Sequence, residues 1–302
     1  MSTPKDRITL VTNHLKSSSS LPRLHGKVCI ITGAGSERGI GIATAWLFAK
    51  NGAKAIYLID YCDEFLPKLA KDIEETYGKV TTVVARKLDA ADEQSVISIV
   101  NDAIERFGRL DVFFANAGIG TSSQKLESSR VFLAIKFASE AMKKTGNDKK
   151  SSSGSIITTS SVAGLRFGAG PMDYSASKAA LTQAGACELA GTNIRVNSIC
   201  PGLIETNMSK PIFDVARKRG TINKVGQLNP LRRYGHSEEI ANVALFLASD
   251  ESSYINGQAI PVCGGLSASL PVVMQERKKT EDEGDIENEE DTNISKSNNS
   301  TV

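Results

Sequence analysis

The chain has 302 residues, of which 40% are hydrophobic and 23% charged, so it is long enough to form one complete globular core. Its 36 basic and 34 acidic residues nearly cancel, which argues against a nucleic-acid partner. The sequence contains no apolar run near the roughly 18 residues of a membrane span, and its three histidines and five cysteines lack metal-ligand spacing. We therefore expect no membrane insertion, no metal site and reduced cysteines.

Both ends of the chain differ in composition from the middle. Residues 1–26 contain four consecutive serines and few apolar residues, and we predict a flexible N-terminal extension. Its excess of basic residues is also typical of a mitochondrial transit peptide, which makes mitochondria the minor alternative to a cytoplasmic location. Residues 275–302 carry nine acids and four bases and predict a disordered charged tail. The domain between them is expected at 27–266.

The first apolar run, residues 27–32, predicts a buried strand that continues into a glycine-rich stretch and then a helix ending near Gly52. Strand, glycine turn and helix form the context that a phosphate-binding loop requires. Glycines let the backbone approach a pyrophosphate, and the helix N-terminus supplies amide donors and positive potential. The candidate cofactor-binding residues of this loop are Gly33, Gly35, Arg38, Gly39, Ile40 and Gly41.

A second buried strand, residues 55–59, ends at Asp60. A carboxylate at this point can accept hydrogen bonds from both adenosine ribose hydroxyls and repel a 2′-phosphate, which favours NAD over NADP. A helix at 64–77 and a strand at 81–88 follow, and that strand leads to Asp89. After a helix from about residue 92, a strand beginning at 111 ends in the turn Asn116, Ala117 and Gly118.

The next apolar periodicity predicts an amphipathic helix at 131–142 with Val131, Ile135, Ala138 and Met142 on one face. A strand at 155–160 then delivers Ser161 to the edge where open α/β sheets bind ligands. A strand at 194–199 precedes Pro201, and residues 207–235 are polar and basic, which we read as a solvated face. Ser237 is expected to cap a helix to Ala248, and Pro261 predicts that the last strand, 258–262, lies at an edge.

Tyr174 and Lys178 stand at i and i+4 of a predicted helix, so their side chains leave the same face. A phenol has a pKa near ~10, and an ammonium about 4 Å away at an effective dielectric of roughly 20 favours the phenolate by on the order of 4 kcal/mol. This lowers the phenol pKa by roughly three units. Tyr174 therefore becomes a usable acid or base near neutral pH.

Taken in order, the glycine loop, Asp60, the Asn116-Ala117-Gly118 turn, Ser161 with the Tyr174/Lys178 pair, and Pro201-Gly202 resemble the short-chain dehydrogenase/reductase family over about residues 27–266. The resemblance implies an α/β fold with a doubly wound, Rossmann-type, mostly parallel seven-stranded sheet in the order 3-2-1-4-5-6-7. It also implies reversible hydride transfer between NAD(P) and a carbonyl or secondary alcohol, and a homodimer or homotetramer.

By the same resemblance, Tyr174 is the acid/base, Lys178 lowers its pKa and binds the nicotinamide ribose, and Ser161 orients the reacting oxygen. Arg38 lies where a family cation can hold a 2′-phosphate, so NADP stays the alternative to NAD. The remaining cofactor contacts that the resemblance implies are Asp89 at the adenine, Asn116, Ala117 and Gly118 beside the central strands, and Pro201, Gly202, Ile204 and Thr206 at the nicotinamide.

The sequence departs from the family pattern in two places. The family's glycine pattern, TGxxxGxG, can be aligned here in two ways. Starting at Thr32-Gly33, the next glycine arrives two residues late; starting at Gly35, the spacing is right but Ala34 replaces the threonine. Only the twelve residues 119–130 precede the helix at 131, and Glu127 stands where the family has an asparagine behind the catalytic lysine. A dinucleotide-binding protein with impaired catalysis is therefore the competing hypothesis.

Overall fold

The computed structural model describes residues 8–9, 21–118, 125–166, 175 and 181–269, all within one compact unit, residues 1–271. Strands and helices alternate along the described chain, as expected for a parallel α/β sheet. The strands are β1 (Val28–Thr32), β2 (Ala55–Asp60), β3 (Thr82–Lys87), β4 (Val112–Ala115), β5 (Gly154–Thr159), β6 (Ile194–Pro201) and β7 (Ala259–Val262), and the helices are α1 (Ile40–Lys50), α2 (Leu66–Tyr77), α3 (Glu93–Phe107), α4 (Lys125–Lys143), α5 (Thr182–Glu188), α6 (Lys210–Lys218) and α7 (Ser237–Ala248).

The seven strands form one sheet in the order β3-β2-β1-β4-β5-β6-β7, and every neighbouring pair is parallel. This confirms the predicted fold class and strand order. Because all strands run the same way, their carboxyl ends meet at one edge. The chain reverses its winding between β1 and β4, which is where sheets of this kind bind ligands.

Both faces of the sheet are covered, which explains why its strands read as continuous apolar runs. Helices α1, α2 and α7 pack on one face, where Phe48, Leu58 and Phe114 are fully buried. Helices α3, α4 and α5 pack on the other, where Tyr57 and Phe113 are buried. The alternation of side chains along each strand therefore feeds two separate cores.

Helix α4 begins at Lys125, six residues before the predicted start at Val131. Its buried face is centred on Leu133, Ala134, Ala138 and Met142, while Val131 is only partly buried. The segment before the helix is short, but α4 itself has nineteen residues. This exceeds the dozen or so residues that a crossover between parallel strands needs, so α4 can connect β4 to β5.

Two smaller expectations differ from the structure. Residues 21–26, assigned above to the flexible extension, pack on the domain: Leu24 is fully buried and its N–H donates to the carbonyl of Asn51 at 2.9 Å. Helix α7 is capped at His236, whose N–H donates to the Glu239 carboxylate at 2.9 Å, so Ser237 is its first helical residue. Residues 1–7, 10–20 and 270–302 lie outside the described residues.

Strand β7 pairs only with β6 and lies at the sheet edge, as Pro261 predicts. The cysteines Cys29, Cys62, Cys187, Cys200 and Cys263 are all free thiols. Among the described helices, none combines the length and apolar character that crossing a membrane would require.

A buried charged cluster lies at the opposite, amino-terminal edge of the sheet. The carboxylate of Asp111 accepts from the N–H of Val28 at 2.9 Å and from Arg109 Nε and Nη2 at 2.8 and 2.9 Å. Lys149 is almost fully buried, donates to the carbonyl of Leu110 at 2.7 Å and lies 3.8 Å from Asp111. Burial lowers the pKa of Lys149 to about 8, the nearby Arg109 cation adds to the shift, and Asp111 opposes it.

This shift predicts a pH-dependent stability. Between pH 8 and 10 the unfolded chain keeps a proton on Lys149, whose ordinary pKa is about 10.4, while the folded chain has lost it, so the free energy of unfolding rises with pH. The slope from this one group is at most about 1.4 kcal/mol per pH unit. Urea unfolding at pH 8, 9 and 10 should show this slope in the wild type and in Lys150→Met, and a reduced slope in Lys149→Met. Parallel pH profiles for all three proteins would contradict the assignment.

Candidate active site

A cleft of about 580 Å³ lies at the carboxyl edge of the sheet. It is bordered by the loop between β1 and α1, by the ends of β2, β4 and β5, and by the segment that follows β6. Most of the residues predicted from sequence converge here, although they are spread over more than 170 positions. They are Gly33, Arg38, Gly39, Ile40, Asp60, Asn116, Gly118, Ser161, Pro201, Gly202, Ile204 and Thr206.

The glycine loop is packed too tightly for side chains at Gly33, Gly35 and Gly41, and a Cβ at Gly35 would lie 2.8 Å from the carbonyl oxygen of Cys62. Gly33 has a φ of +71°, and a Cβ there would lie 2.8 Å from the Cα of Ala117. A Cβ at Gly41, in the first turn of α1, would lie 2.3 Å from the carbonyl oxygen of Gly33. These contacts let the helix N-terminus approach the end of β1 closely, which is the geometry that brings amide donors to a phosphate.

The structure also resolves the two possible alignments of the glycine motif. Thr32 is the last residue of β1, and its hydroxyl oxygen accepts from the N–H groups of Asn116 and Ala117 at 3.1 and 3.0 Å. Gly33 and Gly41 meet each other, whereas Gly35 lies against Asp60. The motif is therefore anchored on Thr32-Gly33, and the two extra residues are accommodated between Gly33 and Gly39.

Asn116 joins three strands beneath the cleft. Its Nδ2 donates to the carbonyls of Thr32 and Gly33, both at 3.1 Å, and its Oδ1 accepts from the hydroxyl of Thr159 at 2.9 Å. The side chain thus holds the ends of β1, β4 and β5 together.

Asp60 is fixed beside the glycine loop. One carboxylate oxygen accepts from the N–H of Gly35 at 2.8 Å and the other from the N–H of Cys62 at 3.0 Å. A carboxylate offers about four acceptor sites, so these two bonds orient Asp60 without exhausting it. Arg38 is exposed on the same cleft, and the neighbouring Glu37 is paired with Lys68 at 3.0 Å.

Asp89 and Ala117, two predicted residues that do not line the main cleft, border a smaller recess of about 80 Å³ next to it. Asp89 and Ala117 line it together with Gly33, Gly118 and Asp60, so the recess continues the cleft toward β3. Arg130, in the first part of α4, contributes to the same wall and was not anticipated from the sequence. The early start of α4 brings it there.

Ser161 follows β5 at the cleft. Its hydroxyl oxygen accepts from the N–H of Ala163 at 3.1 Å as it caps a 3-10 turn, Val162–Gly164, which leaves the hydroxyl proton available to a ligand. Ser160 also lines the cleft. Tyr174 and Lys178 lie outside the described residues.

The segment after β6 closes the cleft from the other side. Gly202 leaves no room for a side chain, because a Cβ there would lie 2.8 Å from the Cα of Cys263. The Ser209 hydroxyl donates to the carbonyl of Ile204 at 2.6 Å and accepts from the N–H of Thr206 at 2.9 Å. The N–H of Asn207 donates to the carbonyl of Arg38 at 3.0 Å.

Seven cleft residues lie outside the set of contacts predicted from sequence: Ser36, Thr159, Ser160, Leu203, Asn207, Met208 and Ser209. Ser209 bonds to Ile204 and Thr206, five and three residues earlier, and no motif spacing signals this. Among the described residues, no group of histidine, cysteine or acidic side chains is suited to hold a metal ion.

Comparison with known proteins agrees with this geometry. A family model described as enoyl-(acyl carrier protein) reductase matches residues 33–267. The 3-oxoacyl-(acyl-carrier-protein) reductase FabG of Thermotoga maritima is 40% identical over 260 residues, which cover 81% of this chain and 99% of that protein. The meso-2,3-butanediol dehydrogenase of Serratia marcescens is 35% identical, with 82% and 97% covered.

Solved structures give the same result. The crystal structure of levodione reductase superposes with a TM-score of 0.72 at 33% identity and covers 82% of this chain and all of its own. A short-chain type dehydrogenase/reductase from Mycobacterium marinum superposes with a TM-score of 0.70 at 31% identity, covering 82% and 97%.

The glycine loop predicts a contrast between two alanine substitutions. In Gly41→Ala the new methyl group meets backbone that cannot move independently, so the free energy of unfolding should fall by about 1–3 kcal/mol. In Gly39→Ala the nearest atom is the Ser36 hydroxyl, which can rotate away, and the extended φ of −156° suits alanine, so the loss should be about 1 kcal/mol or less. Urea unfolding measures both, and equal losses would contradict the packing argument.

Proposed function

Because the chain belongs to the short-chain dehydrogenase/reductase family, we propose that this cleft is the site of its hydride transfer, with NAD as the preferred cofactor and Ser161, Tyr174 and Lys178 as the catalytic residues. The chain is an NAD(P)-dependent oxidoreductase of alcohol or carbonyl substrates. The observation that carries the proposal is the meeting of Ser161, the glycine loop and residues 201–206 in one cleft.

The residues at the cleft suit a dinucleotide. The absence of side chains at Gly33 and Gly41 leaves backbone and the start of α1 facing the cleft, and Asp60 retains acceptor capacity for ribose hydroxyls. In this proposal Pro201, Gly202, Ile204 and Thr206 hold the nicotinamide end, and Asp89, Asn116, Ala117 and Gly118 line the adenosine side. The bound nicotinamide supplies the hydride donor or acceptor.

The chain's own residues handle the proton. In the reduction direction the Tyr174 hydroxyl gives its proton to the substrate oxygen, and in oxidation the phenolate takes it back. The ammonium of Lys178 stabilises the phenolate by the Coulomb attraction described above. Ser161 donates a hydrogen bond to the same oxygen, and its own oxygen is already held by the N–H of Ala163, which aims the hydroxyl.

The preference for NAD is argued from charge. A 2′-phosphate placed about 5 Å from the Asp60 carboxylate, at an effective dielectric of roughly 20, would be repelled by about 3 kcal/mol per unit charge. The Arg38 guanidinium is exposed and on a longer side chain, so solvent screens the attraction that it offers to such a phosphate. Repulsion by the fixed carboxylate therefore outweighs it.

The competing hypothesis of impaired catalysis receives no support from the comparisons, since the relatives matched along most of the chain are named reductases and dehydrogenases. Helix α4 supplies the crossover between β4 and β5 despite the short segment before it. The substrate in this proposal is a carbonyl compound or an alcohol, the class on which the named relatives act. A homodimer or homotetramer and a cytoplasmic location remain predictions.

Replacing the tyrosine tests the catalytic assignment. Tyr174→Phe should reduce kcat by about 10²-fold or more, because the proton donor is lost, while the dissociation constant of NADH changes by less than about threefold, or under 1 kcal/mol. The matched control is Tyr254→Phe, whose side chain is fully exposed. Steady-state assays on a panel of ketones measure kcat, and NADH fluorescence titration measures the dissociation constant. Undiminished turnover in Tyr174→Phe would refute the assignment, whereas NADH binding by a wild type inactive on the whole panel would favour impaired catalysis.

Cofactor choice is tested by removing one charge. The wild type should have a kcat/KM for NAD at least about tenfold above that for NADP, and Asp60→Asn should shrink this ratio by about tenfold or more as the repulsion disappears. Glu37→Gln removes a neighbouring carboxylate that is paired with Lys68 and should leave the ratio unchanged. A wild type that prefers NADP would overturn the argument.

A further inference from the structure

The turn that carries Ser161 is held by its own backbone and by partial burial. The carbonyl of Ser161 accepts from the N–H of Gly164 at 2.9 Å. The carbonyl of Val162 accepts from the N–H groups of Leu165 and Arg166 at 3.1 and 3.0 Å. Val162 is buried at the start of the turn, whereas Leu165 is 43% exposed near its end. Burial therefore anchors the first part of the turn, and its end depends on another contact.

The side chain of Arg166 supplies that contact. Its Nη1 donates to the carbonyl of Leu266 at 3.0 Å and to the carbonyl of Ser269. These carbonyls belong to a 3-10 turn, Leu266–Ala268, and to the residue that caps its end. A carbonyl oxygen has two lone pairs and a guanidinium carries five donors, so one arginine can serve both carbonyls. The end of the Ser161 turn is thus tied to a segment that lies 100 residues later in the chain.

The segment that accepts from Arg166, residues 263–269, is called the terminal turn. Within it the carbonyl of Gly265 accepts from the N–H of Ala268 at 3.0 Å and from the hydroxyl of Ser269 at 3.1 Å. These bonds close the segment on itself, so the carbonyls that Arg166 contacts are themselves held in place.

The terminal turn also packs against the predicted nicotinamide side of the cleft. A Cβ on Gly202 would lie 2.8 Å from the Cα of Cys263, and the N–H of Gly202 donates to the carbonyl of Val262 at 3.0 Å. In the proposed function Gly202 is one of the residues that hold the nicotinamide. Arg166 therefore links the turn that carries Ser161 to the support of the nicotinamide site, in addition to the link that both have through the sheet.

Hydride transfer is sensitive to the spacing of these two sites. In the proposed function the Ser161 hydroxyl holds the substrate oxygen, and the carbon bonded to that oxygen exchanges a hydride with the nicotinamide. A displacement of about 1 Å from the productive geometry can lower a rate by about a hundredfold. The separation between the serine hydroxyl and the nicotinamide site must therefore be held closely.

We propose that Arg166 is a positioning residue for hydride transfer, an inference that rests on the proposed function. Its guanidinium fixes the end of the Ser161 turn to the terminal turn and so holds the Ser161 hydroxyl at the separation from the nicotinamide that the reaction requires. Arg166 is not among the residues that line the cleft. It acts through Ser161.

The first test compares turnover with cofactor binding. Arg166→Met removes the donors and should reduce kcat by about tenfold or more, while the dissociation constant of NADH changes by less than about threefold. Arg166→Lys keeps a cationic donor and should restore kcat to within about threefold of the wild type. The matched control is Arg106→Met, which replaces an exposed arginine of α3 and should behave as the wild type.

A double-mutant cycle separates positioning from a general loss of stability. Ser161→Ala alone should reduce kcat by about a hundredfold. Adding Arg166→Met should reduce it by no more than about threefold further, because no hydroxyl is left to position. If Arg166→Met does not fold, Arg166→Gln replaces it in the cycle, since glutamine keeps a polar side chain with amide donors.

The outcomes distinguish this inference from the proposed function. If Ser161→Ala is impaired but Arg166→Met keeps the wild-type kcat, or if the two losses multiply, Arg166 only stabilises the fold and the inference alone is overturned. A wild type without turnover on the ketone panel, or an unimpaired Ser161→Ala, contradicts the proposed function and the inference with it.

Discussion

The rest of the cleft depends on the hydrogen bonds made by the side-chain amide of Asn116. It bonds to the backbone of Thr32 and Gly33 on one side and to Thr159 on the other, at the point where the sheet changes its direction of winding. Neighbouring parallel strands separate at their carboxyl ends when their connections leave on opposite faces. The amide bridges this gap, so the floor of the cleft is a hydrogen-bonded unit instead of three independent strand ends.

Each wall of the cleft is built outward from that floor. Gly33 follows the braced residue Thr32 and receives α1 through its contact with Gly41. Asp60 is attached to the same loop by the N–H of Gly35, and Ser161 comes two residues after Thr159. The described cofactor-binding candidates and Ser161 therefore share one hydrogen-bonded support, which accounts for the convergence of residues that are distant in sequence.

Much of the fold and of the cleft was predictable because both rest on short-range sequence patterns. Buried strands, the glycine turn and Asp60 are local signals, whereas the strand order was implied by the family resemblance that these motifs carry. What escaped prediction depends on contacts between distant segments. The two candidate frames of the glycine loop could be distinguished only by the bonds of the Thr32 hydroxyl to the Asn116 turn and by the contact of Gly33 with Gly41. Leu24 reads as part of a polar extension until its burial is seen.

The hydrogen bond from the N–H of Asn207 to the carbonyl of Arg38 has a mechanical consequence. It fastens the lengthened glycine loop to the chain that leads into α6, across the mouth between them. An outward swing of that chain has to break this bond or pull the loop with it. The backbone at Arg38, a predicted cofactor contact, is therefore tied through this one bond to the segment that carries Thr206 and Met208.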